Sequence, residues 1–269
     1  MMNKITYLIA AILTIVALSG CEKVIELDLD NSDPRIVIDA SITDDYQNQV
    51  VRVSKTYSFT ESNKFNGLSG AVVELTYFDG GTITFTENST GTEKGIYKSP
   101  RMRGKPGTEY TLTVRVEGKT YTSVSRMPDK VTLDSVTFKQ YTIFGSINTY
   151  VAANFEDPGH TQDQYRYILT VKDKVEEDAV SDDRFNNGNH VSEVLFYELD
   201  DLNTGDTLEV ELQCINRPVY KYYFTMEQIS GDGGPPVAPE NPPSNFSNGA
   251  LGVFNAYTSS RRTAIIKRP

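Results

Sequence analysis

The chain has 269 residues, of which 38% are hydrophobic and 10% aromatic, and its formal net charge is −10. This length allows one large or two ordinary domains, and the composition excludes an intrinsically disordered chain. The acidic charge argues against a nucleic-acid partner, because phosphate binding requires a basic face. It also excludes attraction to an anionic membrane surface, so membrane association would need another cause.

Residues 1–20 have the pattern of a lipoprotein signal peptide. A short positive segment containing Lys4 precedes an apolar run over residues 5–18. The run has about 14 residues, which is too short for a membrane-spanning helix and typical of a signal peptide. It ends in Leu18-Ser19-Gly20-Cys21, where an apolar residue and two small residues precede the cysteine. This motif predicts that Cys21 is acylated, for example with palmitate; an ordinary secretory signal followed by a chance cysteine is the alternative.

Residues 21–32 are predicted to form a lipidated tether. Residue 22 is Glu, in place of the Asp often linked to inner-membrane retention, and further acids follow it. The acids resemble the surface-export signals of Bacteroidetes lipoproteins, although the alternation from Glu26 to Asp30 also predicts a first strand. We therefore expect a lipid-anchored protein of the outer membrane, with exposure on the cell surface as one option.

Residues 33–128 are predicted to form an antiparallel β-sandwich of the immunoglobulin or transthyretin type. About seven alternating segments rich in Tyr, Thr and Val are separated by turn signals, as in such sandwiches. Asp79-Gly80-Gly81 and Glu117-Gly118-Lys119 each lie between two alternating runs, which predicts two hairpins. Met127-Pro128-Asp129 marks the end of this domain.

Residues 129–269 are predicted to form a second β-rich domain with one packed helix. The polar segment 173–190 is expected to be a loop, and the Pro-rich segment 231–248 a second one. The helix is expected over 217–230, with Pro218 in its first turn and Gly231 after its end. Five residues at a spacing of three or four are expected to pack against the sheet: Val219, Tyr222, Tyr223, Met226 and Ile229.

Cys214 is the second of the two cysteines. Alternation places Leu208, Val210, Leu212 and Cys214 on one face of a strand, which predicts a buried structural thiol. With Cys21 acylated, no intramolecular disulfide is expected.

Motifs that would identify a reaction are missing from the sequence. His160 and His190 lie in polar segments and are not spaced as helical metal ligands, so we expect both to be solvent-exposed. There is no nucleophile elbow, Walker loop or dinucleotide fingerprint. We therefore predict no catalytic residue, no cofactor and no enzymatic activity.

Four pairs of adjacent acids are present: Asp44-Asp45, Glu176-Glu177, Asp182-Asp183 and Asp200-Asp201. Glycoside hydrolysis needs two carboxylates about 5 to 9.5 Å apart across a cleft, a geometry that adjacent positions do not establish. Asp182, Asp183 and Asn186 offer oxygen ligands within one segment, which makes them candidate calcium ligands. A solvated acidic loop is the favoured interpretation of this segment, so no metal site is predicted.

A series of landmarks resembles the Bacteroidetes lipoprotein family of the domain of unknown function 4249, over nearly all of the chain after the leader. The landmarks run in order through segments 21–28, 35–43, 95–100, 106–114, 155–158, 241–245 and 249–254. The resemblance implies a neighbourhood beside TonB-dependent outer-membrane transporters, and it implies no catalytic residues.

Three functional hypotheses follow. The first is a non-enzymatic accessory or binding lipoprotein of a TonB-dependent nutrient transporter, with 173–190 and 231–248 as its contacts and an unidentified ligand. The second is a surface hydrolase acting on glycans or peptides, which would require a pocket with converging carboxylates. The third is a structural or adhesive surface protein, which exposed aromatic patches would favour.

Overall fold

The computed structural model describes residues 33–57, 65–77, 79–87, 93–143, 145–197, 199, 202–230 and 241–266. The predicted leader, Cys21 and the tether lie outside these ranges, as do Asp200, Asp201 and residues 231–240. The body of the protein, Pro34–Pro269, is a single compact unit. Within the ranges given, no helix has the length and apolar character needed to cross a bilayer.

The protein is mainly β, as predicted. The strands are β1 (Ile36–Thr43), β2 (Gln47–Lys55), β3 (Val72–Tyr77), β4 (Thr82–Glu87), β5 (Ile96–Met102), β6 (Glu109–Val116), β7 (Lys119–Arg126), β8 (Ser135–Ile143), β9 (Ser146–Glu156), β10 (Gln164–Val171), β11 (Lys174–Asp182), β12 (His190–Leu195), β13 (Thr207–Ile215) and β14 (Leu251–Ile265). One helix, α1, spans Arg217–Ser230. Both predicted hairpins are confirmed, because β3 pairs with β4 and β6 with β7, each antiparallel.

The last strand joins the two halves of the chain into one large sheet. Eleven strands of the described residues lie in the order β11-β10-β13-β14-β1-β2-β5-β4-β3-β6-β7. β14 pairs with β1 in parallel, with Ile38 opposite Gly252, and with β13 antiparallel. The sheet therefore continues across the predicted boundary at residues 128 and 129.

The first hydrophobic core has the two-layered form of a sandwich. It collects buried side chains from β1, β2 and β5 together with others from β3, β6 and β7, so the sheet turns back on itself. The bend lies where β4 and β5 share only two residue pairs. β14 closes the other side, where the Ala256 amide donates to Oγ of Ser125 on β7 at 3.1 Å. Phe254 on β14 is fully buried in this core.

The second core lies between the large sheet and a smaller one. β12, β9 and β8 form the small sheet in that order, and their apolar faces meet those of β10 and β13. Leu208, Val210, Leu212 and Cys214 are all buried here, which confirms the predicted face. Burial raises the pKa of the Cys214 thiol to about 11, so it stays protonated at neutral pH. Cys214 is therefore a structural thiol, as predicted.

Segment 173–190 is not a single loop, and that prediction is wrong. Residues 174–182 form β11, which pairs antiparallel with β10 at the edge of the large sheet. An edge strand is held mainly by backbone hydrogen bonds to its one neighbour, so a polar composition does not prevent pairing. Within this segment only Asp173 and the turn over 183–189 lack strand structure, and His190 already begins β12.

The helix has the predicted bounds, but its apolar side chains are only partly covered. Asn216 caps it, because its Oδ1 accepts the Val219 amide at 3.1 Å. Val219 is buried, and Tyr222 and Tyr223 pack against the same cluster on the sheet. Met226 and Ile229 are 42% and 47% exposed, so the predicted packing is wrong for the second half of the helix.

Candidate functional site

The histidines lie at the surface. His160 is exposed, and the His190 side chain is 54% exposed with its Nδ1 2.8 Å from Oε1 of Glu156. This arrangement is a solvated surface pair on the edge of the small sheet.

The adjacent acids at positions 44 and 45 are held by neighbouring cations. Asp44 accepts the Ser259 amide at 2.8 Å and pairs with Lys130, while Asp45 pairs with Arg261 at 2.6 Å. These contacts connect the turn after β1 to β14. They give the pair a structural role at the junction of the two cores.

A different set of acids converges near the second core. One oxygen from each of Asp157, Asp163 and Asp183 lies within 4.8 Å of the others. Burial raises the pKa of Asp163, and the charges of Asp157 and Asp183 raise it further. Carboxylate oxygens at this spacing could hold a hard cation such as calcium.

Of the three candidate calcium ligands considered in the sequence, only Asp183 belongs to this cluster. Asp182 instead pairs with Arg184 at 2.7 Å, and the Asn186 backbone amide donates to the carbonyl of Asp183. Sequence reasoning missed Asp157 and Asp163 because they lie 20 or more residues before Asp183 and meet it only in the fold.

The cluster already has protein hydrogen-bond donors. The Gly188 amide donates to Oδ2 of Asp157 at 2.9 Å, and the hydroxyl of Tyr165 donates to Oδ1. The Asp163 amide donates to Oδ2 of Asp183 at 2.7 Å. These bonds fasten the turn over 183–189 to the end of β9, so the acids have a structural function without any ion.

A groove lies between α1 and the large sheet. Its volume is about 370 Å³. Four strands and the helix contribute its lining residues: Asp39, Arg166, Asp178, Tyr222, Tyr223, Met226, Glu227 and Val253. We call this feature the helix groove. It combines aromatic and aliphatic walls with several charged groups, a composition typical of ligand sites.

Arg166 is locked in the floor of the helix groove. Its Nε donates to Oδ1 of Asp178 at 2.6 Å, and its Nη2 donates to Oδ2 of the same carboxylate. Its Cζ lies 3.8 Å from the ring centroid of Tyr223. Burial alone lowers the pKa of Arg166, but the bonds to Asp178 outweigh it and the guanidinium stays charged. The two hydrogen bonds to Asp178 and the stacked ring of Tyr223 leave the Arg166 side chain little conformational freedom.

Glu227 is one of the carboxyl groups that line the helix groove. Its Oε1 accepts the Val180 amide at 2.6 Å, while its Oε2 accepts no hydrogen bond from the described part of the chain. Burial raises the pKa of Glu227 to about 7, with further contributions from the charges of Asp178 and Glu177 and opposition from Arg166. The carboxyl is therefore close to half ionised at neutral pH.

This pKa predicts a pH-dependent effect of the substitution Glu227→Gln. The folded-state pKa of about 7 exceeds the ordinary value of 4.5, so the stabilisation is complete below pH 4.5 and is lost as the pH rises through 7. The glutamine variant should therefore gain about 1 to 2 kcal/mol relative to wild type over that range, less than the full pKa change implies because the groove is solvated. Urea unfolding at both ends of the range measures the difference. A difference that does not change with pH would contradict the prediction.

A shallow depression lies at the start of α1. Its volume is about 260 Å³, and it is lined by Arg217, Pro218, Lys221, Pro243, Ser244 and Asn245. Asn245 exchanges two hydrogen bonds of 2.9 Å with the backbone of Phe254. The described part of the predicted Pro-rich loop, 241–248, is thus held against β14 by side-chain and backbone bonds.

The helix groove could not be found from the sequence. Its lining residues range from Asp39 to Val253 and come from five separate elements, so no local sequence motif contains them. Its one visible signal is the helical spacing of Tyr222, Tyr223 and Met226, which by itself predicts core packing.

Comparison with known proteins identifies a family. Curated proteins contain no match to this chain. Residues 22–263 match the family model described as a domain of unknown function, DUF4249. The match begins directly after Cys21 and ends within β14, so it includes the helix groove, the first core and all of the second core before residue 264. The chain therefore belongs to the family of the domain of unknown function DUF4249.

Proposed function

We propose that this protein is a non-enzymatic binding module, held at the outer membrane by acyl chains on Cys21 and accessory to a TonB-dependent nutrient transporter. The observation that carries the proposal is the sequence Leu18-Ser19-Gly20-Cys21 at the end of a short apolar run. Two or three acyl chains, each contributing roughly 0.8 kcal/mol per buried CH₂, would hold the body at the lipid surface.

The geometry of the body supports a binding role. Its strands form two packed cores, and its concave surface includes the helix groove, which offers aromatic and charged side chains to a ligand. Binding sites are commonly placed on the surface of such a rigid scaffold. The family resemblance supports the transporter as partner, because such lipoproteins tend to be encoded beside TonB-dependent transporters.

Co-purification tests the partner. The tagged chain is extracted from its native cells in mild detergent, and proteins bound to it are identified by mass spectrometry. We expect an outer-membrane barrel of the TonB-dependent class to be retained with it. An unrelated lipoprotein carrying the same tag controls for barrels that adhere to any bait. If the barrel is missing, or is recovered equally with the control bait, the accessory role is wrong.

Protease treatment of intact cells tests the side of the membrane. A chain that faces the medium should be digested before lysis, whereas a periplasmic marker should survive. Survival of the chain until lysis would place it on the periplasmic side.

A further inference from the structure

The helix groove contains more negative charge than its own cations balance. Asp39, Asp178 and Glu227 line it, and Arg166 is the single cation among the lining residues that the structure describes. Arg166 is already bound by Asp178 through two hydrogen bonds. Glu227 consequently faces the groove with no salt-bridge partner in the described ranges of the chain.

Asp39 gains little compensation from its own partner. Arg52 lies 3.4 Å from it, and the two side chains are 55% and 48% exposed. Exposed pairs of this kind contribute little and are screened by salt. The field within the groove is therefore negative, and an anionic ligand would be repelled from it.

Apolar surface adjoins these carboxylates. Tyr222 packs edge to face on Tyr223 with ring centroids 5.4 Å apart, and the side chain of Met226 is 42% exposed beside them. Val253 completes the wall on the side of β14. A ligand that fits such a surface has an aliphatic body and a cationic tip, the combination that lysine side chains themselves use.

We propose that the helix groove binds an alkylammonium group, with the ammonium donating to Oε2 of Glu227 and the aliphatic stem lying against Tyr222 and Met226. The groove volume of about 370 Å³ suits a group the size of one side chain. This inference goes beyond the accessory role and is independent of the acylation of Cys21 and of any transporter partner.

The test is calorimetric titration of the purified full chain with N-acetyl-lysine amide at a pH of about 8, above the pKa of Glu227. N-acetyl-norleucine amide lacks only the ammonium group and is the matched neutral probe. We expect the lysine amide to bind at least about tenfold more tightly, because its ammonium adds a hydrogen bond to a charged carboxylate. A parallel titration with 1,4-diaminobutane compares a free amine with a lysine side chain. The compound that binds more tightly shows whether the alkylammonium ligand is a free amine or a lysine side chain.

Two variants test whether the ligand binds in the helix groove. Glu227→Gln keeps an oxygen that can accept the Val180 amide but removes the charge, so it should weaken binding of the lysine amide about tenfold. Glu109→Gln removes an exposed carboxylate from β6 and should bind as wild type does. Near-ultraviolet circular dichroism of the tyrosines confirms that both variants fold. Equal affinity for the two amides, unchanged binding by Glu227→Gln, or no binding of either amine would overturn the proposal.

Discussion

Replacing Gly252 by alanine is expected to destabilise the protein by about 3 kcal/mol or more. Gly252 has a φ of 98°, and a Cβ added there would lie 2.0 Å from the backbone oxygen of Ile38. No rotamer relieves this contact, because the position of a Cβ is fixed by the backbone. Accommodating the methyl group requires the parallel strands β1 and β14 to separate where Ile38 lies opposite Gly252.

The matched control separates the two costs of the substitution. Gly205 has a φ of 96°, but a Cβ added there would meet no atom within 4 Å. Gly205→Ala should therefore show only the conformational cost, about 1 kcal/mol. Urea unfolding followed by far-ultraviolet circular dichroism measures both variants. If the two substitutions cost the same, the close approach of β14 to β1 does not contribute to stability.

Removing the thiol at position 21 is expected to release the protein from the membrane completely. Cys21→Ser has no sulfur to acylate, so the acyl chains that are proposed to hold the body at the lipid surface cannot be attached. The net charge of −10 gives no electrostatic attraction to anionic lipids. We therefore expect the variant in the soluble fraction after ultracentrifugation, without incorporation of labelled palmitate.

The same substitution at the other cysteine provides the control. Cys214 is buried in the second core and accepts the Val131 amide at 3.3 Å, a bond that a serine oxygen can retain. Cys214→Ser should keep both the label and the membrane location. Membrane association of Cys21→Ser, or loss of label from Cys214→Ser alone, would disprove anchoring through residue 21.

Local structure was predictable wherever neighbours in sequence decide it. The hairpin at Asp79-Gly80 follows from alternation and from a glycine whose φ is 84°. The helix bounds were predicted from Pro218 in the first turn and from Gly231 after the last residue, and the structure gives the same range. The burial of Cys214 follows from the period of two along its strand.

The edge strand β11 shows where composition misleads. Its sequence is polar because it has a neighbour on one side only, and its charged residues find cross-strand partners such as Arg166 with Asp178. Hydrogen bonding between backbones supplies the pairing and leaves no trace in the side-chain pattern.

The amino-acid sequence by itself determined the acidic charge, the two hairpins, the helix bounds and the buried face of β13, because each depends on composition or on residues a few positions apart. It also contains the motif that predicts acylation of Cys21. Only the tertiary structure decided that β14 lies beside β1, more than 200 positions earlier, and so unites the two halves in one sheet. The same long-range pairing places Asp39, Arg166, Glu227 and Val253 around one groove. Contacts between residues so far apart in sequence depend on which hydrophobic faces pack against one another. That packing is determined by the whole chain as it folds.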